Sequence, residues 1–236
     1  MTLENSNILV VGGTKGIGLA TVRAAQASGA QVTATGRSAA SLAALPEGVA
    51  GAVLDFTKPA SVADLADGIG ALDHLVLTAS SDVAWGPLAE TGEDALRAAF
   101  EAKFWGYWRL IRALAPKLSQ NGSITLVTGA AARAAMPGTS GLAAVNGALE
   151  ALSKVLAVEL APLRINTVSP GMTATEAYAG LPDEAREGMF KATAAHLPLG
   201  RIGHPQDLAE AIVMVMANSF LTGATLDVDG GAHLAR

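Results

Sequence analysis

Ile8-Leu-Val-Val-Gly-Gly-Thr-Lys-Gly-Ile-Gly18 is an apolar run that enters a glycine-rich turn, and the amphipathic stretch Leu19 to Ser28 follows at once. Strand, tight turn and helix in that order form a phosphate-cradling first βα unit. Glycine at 12, 16 and 18 lets the chain turn sharply, approach a pyrophosphate without a Cβ in the way, and pack the next helix against the sheet. The free N–H groups of that helix then face the anion. Gly12, Thr14, Lys15, Gly16, Ile17 and Gly18 are therefore candidate ligand contacts. The loop names a ligand class and leaves the reaction open.

Working outward, apolar β-rich runs recur at Ile8–Val11, Gln31–Thr35, Ala50–Leu54, Leu72–Leu77, Ser123–Thr128, Ile165–Val168 and Thr225–Val228, most of them separated by helix-length amphipathic stretches. This alternation predicts an α/β fold, a Rossmann-type doubly wound parallel sheet of about seven strands with helices on both faces. Ligands in such a fold sit beyond the carboxyl ends of the strands, where the glycine loop lies. No linker-like run, low-complexity tract or repeat interrupts the pattern, so residues 1–236 read as one domain. The segment Met172–His196, between the sixth strand and a late helix, reads as a lid over the cleft.

Composition narrows the partners. Half of the 236 residues are hydrophobic and 16% are charged, with no apolar span as long as a membrane helix and no basic leader, so a cytoplasmic protein without a membrane segment is expected. A formal charge of −5 without a Lys/Arg cluster argues against nucleic acid and leaves small molecules and copies of the same chain as partners. There is no cysteine, and His74, His196, His204 and His233 are scattered, so disulfides and thiolate chemistry are excluded and no metal is expected.

The end of the second strand addresses the cofactor. Where a dinucleotide fold carries an acidic side chain for the adenosine ribose, this chain reads Thr35-Gly36-Arg37. A guanidinium suits a 2′-phosphate that a carboxylate would repel, and Lys15 adds a second cation from the loop, which predicts NADP(H). The alternative is that both are solvated surface cations.

These features resemble the short-chain dehydrogenase/reductase family over essentially the whole length. Gly12-x-x-x-Gly16-x-Gly18 is similar to its glycine signature, with Val11 where Thr is usual. Asp55-Phe56 resembles the pair that contacts adenine, and Asn166-Thr-Val-Ser-Pro170-Gly171, followed by Thr173 and Thr175, resembles the nicotinamide-side loop. Pro198-Leu-Gly-Arg201-Ile-Gly203-x-Pro205, Thr222-Gly223 and Val228-Asp229-Gly230-Gly231 match the C-terminal pattern. The resemblance implies a homodimer or homotetramer through long helices around Leu96–Lys117 and Gly141–Leu160.

The resemblance also implies a catalytic Tyr-x-x-x-Lys pair, a Ser and an Asn, and here the chain departs from it. In the family Tyr moves the carbonyl proton, an ammonium lowers its pKa, Ser polarises the substrate oxygen and Asn holds the lysine through water. Leu149-Glu-Ala-Leu-Ser-Lys-Val-Leu-Ala-Val-Glu159 anchors the alignment and puts Leu142 at the Tyr position and Asn146 at the Lys position. Gly129 falls at the Ser position and Lys103 at the Asn position, while Leu77-Thr78-Ala79-Ser80 replaces the usual Asn-Asn-Ala-Gly. Lysine and asparagine have thus changed places. If both point into the site, Lys103 acts as an electrostatic or acid partner held by Asn146, with Thr128 as a further carbonyl-polarising candidate. Otherwise Lys103 is a surface or snorkelling residue on an aromatic helix, and Thr128 a core hydroxyl. Tyr107, one turn after Lys103, reads as packing or a subunit interface, and Ser80, Ser81 and Asp82 as a turn at the ligand edge.

Two functions follow. One is an NADP(H)-dependent oxidoreductase with a rebuilt site, reducing a carbonyl or activated double bond of a small, mainly apolar substrate. The other is a non-catalytic NADP(H)-binding sensor or assembly subunit.

Overall fold

The computed structural model describes residues 3–79 and 84–234. Seven parallel strands, β1 (Asn7–Val11), β2 (Gln31–Gly36), β3 (Ala50–Val53), β4 (Leu72–Leu77), β5 (Leu118–Val127), β6 (Arg164–Pro170) and β7 (Thr225–Val228), form one sheet in the order β3-β2-β1-β4-β5-β6-β7. The order reverses beside β1, which pairs with β2 through Ile8↔Val32 and with β4 through Ile8↔His74. That reversal places the glycine loop at the switch point of the sheet.

The uninterrupted apolar run of β1 is explained by burial on both faces. Ile8 and Val10 join Val22, Leu208, Ile212 and Val215 in the layer formed with helices α1 (Gly16–Ala27) and α8 (Pro205–Ala217). Leu9 and Val11 join Leu110, Leu114, Ile124 and Leu149 on the opposite face. Successive side chains of a strand point to opposite sides, so a strand covered on both faces has no polar alternation.

Several boundaries differ from the sequence expectation. Helix α1 begins at Gly16 rather than Leu19, so the last glycines of the loop form its first turn. Strand β5 begins at Leu118 rather than Ser123, because Leu118 pairs with Leu72 ahead of an irregularity in register. The aromatic helix is composite: α4 (Glu93–Ala99) runs through a π-helical stretch, Phe100–Trp105, into α5 (Gly106–Leu114). The short α2 (Ala39–Leu42) and α3 (Pro59–Gly68) flank β3, and α6 (Ser140–Glu159) and α7 (Asp183–His196) complete the helices.

Helix α6 is apolar on more than its inward face. Its 20 residues are long and apolar enough by composition to cross a membrane. One stripe of it, including Val145, Leu149 and Leu156, is buried in the domain, whereas Val155 and Val158 on its outer side stay exposed. An inward stripe and an outward apolar surface together produce that composition without a bilayer.

Two buried polar devices secure the sheet. The Arg164 guanidinium donates through Nη1 to the carbonyls of Val215 and Asn218 at 3.1 and 2.8 Å and through Nη2 to that of Met216 at 2.7 Å. It thereby caps the negative end of α8. Arg164→Met should lower stability by about 3 kcal/mol in urea unfolding, because charge-assisted bonds are lost and buried carbonyls are left without donors. An unchanged midpoint would show that the cap contributes nothing.

His74, buried in β4, places Nδ1 2.8 Å from Ser123 Oγ in β5. Burial, followed by the Arg164 charge, pushes its pKa down to about 4. Between pH 6.5 and 4 the unfolded chain takes up a proton that the native state refuses, so stability falls with pH across that window, by about 3 kcal/mol at most. Denaturation at pH 7.5 and 4.5 should show a smaller acid loss in His74→Gln than in the wild type.

Candidate functional site

The glycine loop is pinned to its neighbours before any ligand is considered. Gly12 and Gly16 have φ of +81° and +52°, a region that side-chain-bearing residues rarely enter. A Cβ at Gly18 would collide with the Gly12 carbonyl oxygen and with Thr78. Thr78 Oγ1 donates to the Val11 carbonyl at 2.8 Å, bolting the end of β4 to the loop, and the Gly13 N–H donates to the Thr35 carbonyl at 3.1 Å. Lys15 is the N-cap of α1 and makes no side-chain cap, which leaves the first N–H groups of the helix open to an anion.

The β2 end lies against this loop. A Cβ at Gly36 would meet Thr14 Cγ2 at 2.8 Å, so the chain approaches Thr14 closely there. Arg37 follows at once, exposed as Lys15 is. Asp55, two residues past the end of β3, sits in a local turn: its Oδ1 accepts from Thr57 Oγ1 at 2.6 Å and its Oδ2 pairs with Lys58 at 3.2 Å. The Thr57 hydroxyl bond leads in holding the Asp55 carboxyl below its ordinary pKa. The Phe56 ring packs against Gly106 at the start of α5, so its side chain serves the core.

At the other end of the cleft, Pro170 closes β6 and Gly171 packs against the Asp229 backbone. Thr173 donates to the Gly171 carbonyl at 3.0 Å, and Thr175 caps a short 3₁₀ turn, Glu176–Tyr178, directly over Gly16. Asn166 is structural: it donates to the Leu221 carbonyl at 2.8 Å and accepts from the Ala224 N–H at 3.1 Å, fixing the approach to β7.

Lys103 is brought inward by the π-helical stretch, a local widening that often marks functional sites. It is 7% exposed, and its Nζ donates to Asn146 Oδ1 at 2.8 Å and to the Thr128 carbonyl at 3.0 Å. Burial pulls its pKa down to about 8, opposed by the charge of Glu150. Thr128 Oγ1 donates to Glu150 Oε1 at 3.2 Å. Gly129 matches this arrangement, since a Cβ there would lie 2.9 Å from Asn146 Nδ2. A larger residue at 129 would push Asn146 off its lysine.

Lys103, Thr128, Gly129, Leu142 and Asn146 line a cavity of about 780 Å³ together with Ile17, Pro170, Gly171, Thr173 and Thr175. Of the residues singled out for the cofactor, Ile17, Pro170, Gly171, Thr173 and Thr175 thus share one space with those singled out for chemistry, whereas Gly16 lines a neighbouring pocket with Thr175 and the remaining cofactor candidates line neither. Alanines 130, 131, 134 and 135 also line the shared cavity, as do Met172, Tyr178 and Met189 from the segment Met172–His196. Helix α7 in that segment has no buried residue, and Phe190 meets Tyr178 edge-on at 5.4 Å. Tyr107 takes no part, because it is fully buried and its hydroxyl lies 2.8 Å from the carbonyls of Leu77 and Ala79. Ser80, Ser81 and Asp82 lie outside the described residues.

The family model described as Enoyl-(Acyl carrier protein) reductase matches residues 11–233. The Short-chain dehydrogenase/reductase ATR9 of Stachybotrys chlorohalonatus is 33% identical over 255 residues, spanning 99% of this chain and 99% of that protein. The chain belongs to the short-chain dehydrogenase/reductase family. The Short-chain dehydrogenase/reductase malC of Malbranchea aurantiaca is 30% identical, with 98% of this chain and 96% of that protein covered. A small-chain dehydrogenase solved in complex with NADPH superposes with a TM-score of 0.87 at 38% identity, covering 98% of this chain and 100% of that one. Family membership makes this short-chain dehydrogenase/reductase an oxidoreductase in the general sense.

Three features of this short-chain dehydrogenase/reductase escaped the sequence reading. Glu150 carried a signal, because it stands four residues after Asn146 on a helix and so shares its face. Tyr178 carried none, since its position in the cavity depends on how the segment after β6 folds back. Asp227, Asp229 and His233 gather three potential ligand atoms within 4.8 Å of one another, although they are distant from the other histidines in sequence. Their atoms are engaged already: Asp229 accepts from the Gly231 N–H and from His233, and Asp227 pairs with Arg133.

Proposed function

We propose that this protein is an NADP(H)-dependent oxidoreductase that reduces a carbonyl or activated double bond of a small, mainly apolar substrate, with Lys103 as proton donor. The observation that carries the reading is the cavity in which a buried, hydrogen-bonded amine shares its space with Ile17 of the glycine loop and with Pro170, Gly171, Thr173 and Thr175 of the nicotinamide-side loop. The cradle fits a dinucleotide. A Cβ is sterically excluded at Gly18, the α1 N-terminus offers free N–H groups, and Arg37 and Lys15 supply cations for a 2′-phosphate. Gly12, Thr14, Lys15, Gly16, Ile17 and Gly18 would hold the pyrophosphate side, Asp55 and the Phe56 backbone the adenine side, and Pro170, Gly171, Thr173 and Thr175 the nicotinamide side. NADPH supplies a hydride when bound. The NADPH-bound relative supports the choice of cofactor.

The chain's own residues orient the substrate and handle its proton. Leu142 and Gly129 offer no hydroxyl where the family keeps Tyr and Ser, and the buried polar donor beside these two positions is Lys103, held by Asn146 Oδ1 and the Thr128 carbonyl. An acid with a pKa near the working pH gives its proton and regains it readily. Apolar walls suit a mainly apolar substrate, and Met172–His196 acts as the lid, excluding water when it closes. The chain is one dinucleotide-binding unit that associates with copies of itself, and Val155 and Val158 on α6 offer an apolar contact.

Single-turnover oxidation of bound NADPH against ketones, quinones and enones tests the reading. Substrate-dependent oxidation supports it. Tight NADPH binding without oxidation across the panel favours the sensor instead, and no NADPH binding removes both.

A further inference from the structure

Glu150 stands one turn after Asn146 on α6 and is 9% exposed, an unusual place for a carboxylate. Its Oε1 accepts from Thr128 Oγ1 at 3.2 Å, and its Oε2 lies 3.5 Å from Arg133 Nη1. Arg133 in turn pairs with Asp227 of β7. Thr128 is thus held at two points, its carbonyl by the Lys103 ammonium at 3.0 Å and its hydroxyl by the Glu150 carboxylate. Opposite charges on either side of one residue, away from water, attract far more strongly than an exposed pair.

We propose that Glu150 is a positioning residue for Lys103: across Thr128 it supplies the negative charge that keeps the buried amine protonated and fixed at the cavity floor. The proposal rests on the reading of Lys103 as proton donor, yet the coupling it asserts is measurable without turnover. The other charged groups around Glu150 are Arg133 after β5, Lys154 one turn further along α6, and Asp227 on β7. Burial leads in raising the Glu150 pKa and Asp227 acts the same way, while Arg133, the Thr128 hydrogen bond and Lys154 favour the charged form. An Arg133–Glu150 pair serving the fold alone would leave the ionisation of Lys103 indifferent to residue 150.

The chain has six lysines, so lysine labelled with ¹³C at Cε gives a short spectrum in which Lys103→Met identifies the Lys103 signal. In the wild type that signal should titrate near pH 8. In Glu150→Gln the midpoint should fall by about one pH unit, a tenfold change in protonation, and Glu150→Asp should restore most of it. The alkaline limb of any NADPH oxidation should move down with it. Should Glu150→Gln fail to fold, the same coupling is read from the other partner, because in Lys103→Met the Glu150 carboxyl should titrate at higher pH than in the wild type. A Lys103 midpoint unmoved in Glu150→Gln, or a Glu150 titration unmoved in Lys103→Met, overturns the proposal. Absence of oxidation with the coupling intact overturns instead the reading of Lys103 as proton donor.

Discussion

Lys103→Met is expected to lower substrate-dependent NADPH oxidation by about 10²–10⁴-fold, the usual worth of a positioned general acid, while leaving NADPH affinity within a few-fold of the wild type. Methionine keeps the length of the stem in its buried channel and removes only the proton donor. Asn146 and the Thr128 carbonyl lose a partner but border an open cavity, so the cost to folding should be modest. The pH dependence has a definite sign. Lys103 is an acid only while protonated, and burial brings its pKa to about 8, so the wild-type rate should hold below pH 8 and fall above it. The variant should lose that limb. Lys103→Arg separates charge from acidity, because a guanidinium stays protonated throughout and does not release a proton. If Lys103→Arg recovers most of the rate, Lys103 acts by electrostatic stabilisation alone. Oxidation undiminished in Lys103→Met would remove it from the chemistry.

The fold was legible because its determinants are local. The β1 run, the glycine spacing and the strand–helix alternation each follow from a few adjacent residues, and all seven strands occur where those runs predicted them, apart from boundary shifts such as the early start of β5. What escaped was set by distant contacts. The pairing of Leu118 with Leu72 depends on a strand in another part of the chain, and Tyr178 reaches the cavity through the path of a long connection. The Lys103–Asn146 juxtaposition lies between these extremes. It was readable as an exchange of residue types against the family pattern, but its geometry depends on a π-helical widening that hydrophobic periodicity does not report. The fit between Gly129 and Asn146 likewise emerges only when a Cβ is placed in three dimensions.

Arg37→Asp should weaken NADPH binding by about 100-fold or more and leave NADH binding nearly unchanged or improved. The contrast follows from chemistry at one position. NADPH carries a phosphate on its adenosine ribose where NADH has a hydroxyl, and Arg37 sits exposed at the end of β2 beside the loop that carries Lys15. A charge-assisted hydrogen bond to a phosphate contributes about 1.5–3 kcal/mol, and reversing the charge replaces that attraction with repulsion. Each 1.4 kcal/mol is a factor of ten in affinity, so losing the bond and adding repulsion together reach the expected size. For NADH the same aspartate becomes a hydrogen-bond acceptor for the ribose hydroxyls, the role an acidic residue has at that strand end in dinucleotide folds. Lys15→Met should show the same preference more weakly, since an ammonium on a flexible stem engages phosphate as a point charge without a planar fork. The wild-type preference for NADPH should also shrink as salt rises, because both cations are exposed to screening. Fluorescence titration of both cofactors against both variants measures all of this. Equal losses for NADPH and NADH in Arg37→Asp would mean that residue 37 shapes the rim of the cleft without reading the phosphate, and the choice of NADP(H) would then fall.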